Sequence, residues 1–132
     1  VREDSENPVY YVQYAHARIC SLVARLAQEG ETVPAAADVK AGVFATGEEK
    51  ALIKELAQLP DVIHLAARDF DPSHINRYLL TLAGDFHRFY NACYIRGEAP
   101  EVLSARLKLA DTVRLVIANG LELIGVSAPE KM

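Results

Sequence analysis

Apolar positions recur at helical spacing through most of the chain. From Asn7–Pro8 onward, Val12, His16, Ile19, Val23 and Leu26 fall three or four residues apart, which predicts a helix with one buried face. Asn7 suits the N-cap and Pro8 the first helical position, while Gly30 is a natural stop. Tyr10, Tyr14, Arg18 and Arg25 lie on a neighbouring strip of the same helix. The stretch ETVPAAADVKAGVFATG holds no helical period and carries Pro34, Gly42 and Gly47, so it predicts a long connection with at most a short helical turn. A second helix opens at Thr46-Gly-Glu-Glu, its acids at the positive end of the dipole, and stops before Pro60. Pro60 starts a third, with Val62, Ile63, Ala66, Ala67 and Phe70 on its apolar side. Asp71-Pro72-Ser73 starts a fourth, PSHINRYLLTLAGDFHRFYNACYI, which carries most of the aromatics and ends before Gly97. The fifth begins at Pro100, ends at Gly125 and is apolar nearly all round from Leu103 to Ile124, as suits the centre of a bundle. No strand-like alternation stands out, so the expected fold is all-α, an antiparallel bundle of about five helices.

Composition narrows the class. The 132 residues suit one domain, and 51% hydrophobic with 24% charged residues describes a globular chain. Net charge is −4, which excludes a polybasic nucleic-acid arm but leaves room for a local basic patch. Cys20 and Cys93 are too few for a disulfide framework or an all-cysteine zinc site, and they read as reduced thiols of a cytoplasmic protein. No apolar run is long enough to span a membrane, and the polar opening VREDSENP is not a signal peptide. A start at Val1 implies a fragment of a longer chain.

A catalytic constellation is hard to find. His16, His64, His74 and His87 include no i, i+4 pair for a metal, and no glycine-rich phosphate loop occurs. Polar and aromatic residues are instead interleaved in two clusters. One is Tyr10, Tyr11, Tyr14, His16 and Arg18; the other is Phe86, His87, Arg88, Phe89, Tyr90, Asn91 and Tyr94, with Arg96 beyond. Aromatic faces stack on unpaired bases and arginine neutralises phosphate, a combination suited to single-stranded RNA in a loop. Bland roles compete with this. Phe86, Phe89 and His16 fall on apolar stripes and read as core, Arg88, Arg106, Lys108 and Arg114 as solvated face residues, and Gly120 as a close-packing device.

Particular strings go further. NPVYYVQYAHARICSL, INRYLLTLAGDFHRFYNACYI and ARLKLADTVRLVIANGLELIGVSAPEKM, in that order, resemble the C-terminal DALR anticodon-binding domain of arginyl-tRNA synthetases. The resemblance spans Asn7 to Met132 and implies one anticodon-binding domain over residues 1–132 of a longer ligase. Such ligases load arginine onto tRNA with ATP. Their catalytic signatures do not occur in this chain, so the resemblance implies a non-catalytic module beside an upstream catalytic domain of the same polypeptide. It implies arginine tRNA as the partner and neither DNA nor a membrane. It implies no cofactor or metal in the domain itself. By motif, Tyr10, Tyr14, Tyr94 and Met132 correspond to positions around the anticodon loop, and Glu98 stands where some members carry a second aromatic residue. Every arginine codon has a central G, so the loop would present a cytosine. Arg18 and Arg96 are expected phosphate contacts on electrostatic grounds alone. Two other readings stay open: a helical module that binds protein, and a small enzyme with an unrecognised site.

Overall fold

The computed structural model describes residues 7–132; the acidic leader Val1–Glu6 lies outside the described residues. Five α-helices follow one another: α1 (Pro8–Gln28), α2 (Gly47–Ala57), α3 (Leu59–Asp69), α4 (Ser73–Ala92) and α5 (Pro100–Leu123). Two 3-10 turns, Ala36–Asp38 and Ala41–Val43, break the connection between α1 and α2. No strand occurs among the described residues.

Local chemistry sets most boundaries as expected. The Asn7 side chain accepts from the amides of Val9 and Tyr10, Pro8 opens α1, and Gly30 follows the helix at φ 87°. Thr46 and Glu49 form a reciprocal capping box at the start of α2. At α4 the start falls one residue later than expected: the helix opens at Ser73 with Pro72 as N-cap, and Asp71 Oδ1 accepts from the Ser73 amide at 3.0 Å in the turn ahead of it.

Helix α4 is the hub, packing against α1, α2, α3 and α5. Its inner stripe of Tyr78, Leu79, Leu82, Ala83, Phe86 and Phe89 is buried. Ten residues of α5 are buried, but Leu115 and Leu123 are exposed, so α5 is not enclosed all round as its apolar pattern suggested, and α4 takes the central place. The Tyr78 hydroxyl donates to the Glu55 carbonyl at 2.7 Å and ties α4 to α2; burial pushes its pKa up to about 12. Close approach of α5 to α4 is set by Gly120, where a Cβ would stand 2.6 Å from a methyl of fully buried Leu79.

Contacts fix the directions of the helices. The C-terminal end of α5 meets the N-terminal ends of both α1 and α4, so α5 runs antiparallel to each: Leu121 and Ile124 share a groove with Pro8, Val12, Asn76 and Leu79. Arg18 meets His87 and Tyr90, and Glu29 meets Arg96, so α1 and α4 rise side by side in the same direction. The long connection and the short pair α2–α3 carry the chain back between them.

Three further expectations need correcting. Phe70 is 93% exposed instead of lying on the apolar side of α3, because the chain leaves the helix there in the left-handed conformation, φ 52°. The amide of Asp71 then closes on the Ala66 carbonyl at 3.0 Å. Arg106 is no solvated face residue: its side chain is 12% exposed and paired with buried Glu49. The fourth helix ends at Ala92, not at Ile95. Cys93 is extended (φ −120°, ψ 114°), and the next residues alternate, with Cys93 and Ile95 buried and Tyr94 and Arg96 exposed. Alternation is the signature of extended chain over a core.

Gly120→Val should destabilise the fold by about 1–3 kcal/mol, since the buried Leu79 side chain must leave its packed position to make room. Urea unfolding followed by circular dichroism measures this; an unchanged midpoint would show that the α4–α5 contact is looser than described.

Candidate nucleic-acid interface

Three adjoining clefts follow the outer seam of α1 and α4. The first, about 510 Å³, lies between Tyr10 and Gln13 of α1 and the tail residues Val126, Ser127, Pro129, Lys131 and Met132. The second, about 410 Å³, is lined by Tyr10, Tyr11, Tyr14, Arg18, His87 and Asn91. The third, about 330 Å³, includes Arg25, Tyr90, Asn91, Tyr94 and Arg96. Tyr10 is shared by the first two and Asn91 by the last two, so they form one continuous track. The parallel pairing of α1 and α4 makes this possible, since side chains at successive turns of both helices face the same seam.

All six residues singled out from the sequence lie on the track. Tyr14 is 44% exposed, Tyr94 75% and Met132 49%, while Tyr10 is half-buried. Exposed aromatic and thioether groups along a groove offer flat apolar faces to a planar ligand.

The middle of the track is an ordered aromatic box. Tyr14 stacks on His87 with centroids 6.0 Å apart and planes at 29°, and Tyr11 tilts against the same imidazole at 5.3 Å. The Arg18 guanidinium stands 4.3 Å above the centre of the Tyr90 ring and donates to His87 Nδ1 at 3.0 Å. A guanidinium can only donate, so Nδ1 accepts and the imidazole proton sits on Nε2. That Nε2 is buried and has no hydrogen-bond partner among the described residues. Burial, followed by the nearby Arg18 charge, pushes the His87 pKa below its ordinary value and favours the neutral ring. Arg18 is therefore rigidly seated. Arg96 is exposed and ion-paired with Glu29, a surface pair of little energetic weight.

The tail is stapled to α1. Gln13 Nε2 donates to the Ser127 carbonyl and His16 Nδ1 to the Pro129 carbonyl, both at 2.9 Å. His16 is buried as expected of the apolar stripe, but its role in anchoring the tail was invisible in the sequence. One signal existed: a buried imidazole requires a polar partner, and the nearest in the sequence, Cys20, offers only a weak sulfur contact at 3.7 Å.

A family model described as the DALR anticodon binding domain matches residues 12–132. The chain belongs to the DALR anticodon-binding domain family. It is 47% identical over all 132 residues to the arginine–tRNA ligase of Ruminiclostridium cellulolyticum, and 49% identical over 131 residues to that of Geobacter metallireducens. In both cases it spans only 23% of the ligase, about a quarter of its length. Among solved structures, 99% of the chain superposes on 28% of a putative arginyl-tRNA synthetase from Campylobacter jejuni, with a TM-score of 0.80 and 37% identity. The Thermus thermophilus arginyl-tRNA synthetase gives a TM-score of 0.79 at 30% identity, over 92% of this chain and 21% of that one. Among the described residues of this DALR domain, no helix is long and apolar enough to cross a membrane.

Combining Gln13→Ala with His16→Leu should free the tail of the DALR domain. Backbone order parameters over residues 127–130 should fall from about 0.85 to below about 0.6 while α1 keeps its own. A tail that stays rigid in the double variant would show that its placement rests on other contacts.

Proposed function

We propose that this DALR domain docks the anticodon loop of arginine tRNA as the loop-reading module of an arginine–tRNA ligase. In that setting residues 1–132 act as one unit, a separate catalytic domain of the same polypeptide activates arginine with ATP, and the assembly works in the cytoplasm. The domain supplies no catalytic group and no cofactor of its own. Its contribution is orientation, holding the tRNA so that the distant acceptor end reaches the active site.

The observation that carries this reading is the continuous track with Tyr10, Tyr14, Tyr94 and Met132 along it. An anticodon loop offers unstacked bases at intervals along a bent backbone, and a groove with aromatic faces at successive positions complements it. The tail end, with Met132 exposed, suits the edge of a cytosine, whose amine donor lies next to ring and carbonyl acceptors. Arg18, fixed over Tyr90, has guanidinium N–H groups beyond the one given to His87. Arg96 can exchange its exposed carboxylate partner for a phosphate at low cost. A net charge of −4 makes the isolated domain a weak, salt-sensitive binder, with base contacts supplying the specificity.

Fluorescence anisotropy with a labelled arginine anticodon stem-loop at low ionic strength tests the assignment. Tyr14→Ala and Tyr94→Ala should each weaken binding by roughly 5- to 100-fold, the worth of one lost base stack. Changing the central cytosine to uridine should weaken it by at least about tenfold. Equal binding of both loops, or tyrosine variants that bind like the parent chain, would refute the proposal and favour a protein partner.

A further inference from the structure

A largely buried polar cluster adjoins the far end of the track, between α2, α5 and the segment that follows α4. Glu49 is 1% exposed. Its Oε1 accepts from the amides of Ala45 and Thr46 at 3.2 and 3.0 Å and from the Thr46 hydroxyl at 2.9 Å. Its Oε2 accepts from Arg106 Nε at 3.1 Å. The capping box alone does not explain a charge here, because glutamine serves that motif equally well. The carboxylate matters for what lies on its other side. Arg106 reaches across from α5, and its Nη1 donates to the backbone carbonyl of Tyr94 at 2.5 Å. Glu98 stands 3.9 Å from the same nitrogen.

That carbonyl belongs to the extended segment where α4 has ended, so no helical amide holds it. Cys93 beside it is buried, its sulfur 3.3 Å from the Thr46 hydroxyl. One guanidinium thus joins the start of α2, the body of α5 and the segment that carries the exposed Tyr94 ring. A buried ion pair adds little net stability over an apolar pair of similar volume, but its directional donors can specify one backbone geometry.

We propose that Arg106, oriented by Glu49, is a positioning residue for RNA recognition: it fixes the Tyr94 backbone so that the ring projects at a set angle toward the anticodon loop. Arg106 touches no nucleotide itself. The inference rests on the reading of Tyr94 as a loop contact.

Removing both charges together, as Glu49→Gln/Arg106→Met, avoids leaving one buried and unpaired. In the 132-residue chain this double change should weaken binding of the arginine anticodon stem-loop by about tenfold, and by less than about twofold in a chain that already carries Tyr94→Ala. Arg106→Lys keeps the charge against Glu49 but loses the forked second arm; it gives the same comparison in a less perturbed protein, with an intermediate loss. Circular dichroism confirms that each variant is helical. An equal loss with and without the Tyr94→Ala change, or no loss in either case, would overturn the positioning role while leaving the Tyr94 contact intact. A Tyr94→Ala chain that binds like the parent would overturn both.

Discussion

Burial of the inner stripe of α4 is the interaction on which everything else rests. Leu79, Leu82, Phe86 and Phe89 are almost wholly excluded from solvent, and α4 is packed by every other α-helix. Each such side chain contributes about 1.5–3 kcal/mol on burial, more than any surface pair in the molecule can. With the stripe turned inward, helical geometry turns His87 and Asn91 toward the seam with α1. The face proposed for recognition is therefore the outward consequence of how the core is satisfied. It requires no device of its own in the middle of the helix.

At the two ends of the track, helix geometry no longer suffices and polar clamps take over. The tail is held by Gln13 and His16 through backbone carbonyls, so residues without regular structure acquire a fixed place beside Tyr10. At the far end the chain is extended. Cys93 and Ile95 anchor it in the core, Arg106 holds the intervening carbonyl, and Tyr94 is left standing in solvent. Both clamps act on backbone oxygen atoms and leave the exposed side chains free for a ligand. Acid should loosen the second clamp. Burial pushes the Glu49 carboxyl up, but the Thr46 amide, the Arg106 guanidinium and the Thr46 hydroxyl together hold it below the ordinary carboxylate value. The stability it lends is present at neutral pH and is lost as pH falls through that depressed pKa.

Much of this was legible in the sequence. Asn7–Pro8, Thr46 with Glu49, and Pro100 mark helix starts through side-chain chemistry that acts within a few residues. Gly120 signalled a close approach that Leu79 in fact makes. The tyrosines were found by motif, and the fold brings them to one face. What escaped notice depends on partners far apart in the chain. Arg106 and Glu49 are 57 positions apart, and His16 meets Pro129 across 113. No local pattern encodes such pairs. Phe70 misled because its spacing fits the apolar side of α3 while the chain is already turning there. The end of α4 was a missed local signal, since the alternation in Cys93–Arg96 is plain once helical period is not assumed.

The central claim is that one preformed face, running from the tail across α1 and α4 to Tyr94, receives the loop. Titrating the isotope-labelled domain with an arginine anticodon stem-loop and following amide and aromatic resonances tests it most directly. Shifts should concentrate in residues 9–18, 87–96 and 126–132 and spare the outer faces of α2 and α3. Shifts centred on α2 and α3, with the tyrosines of the seam unmoved, would contradict the account.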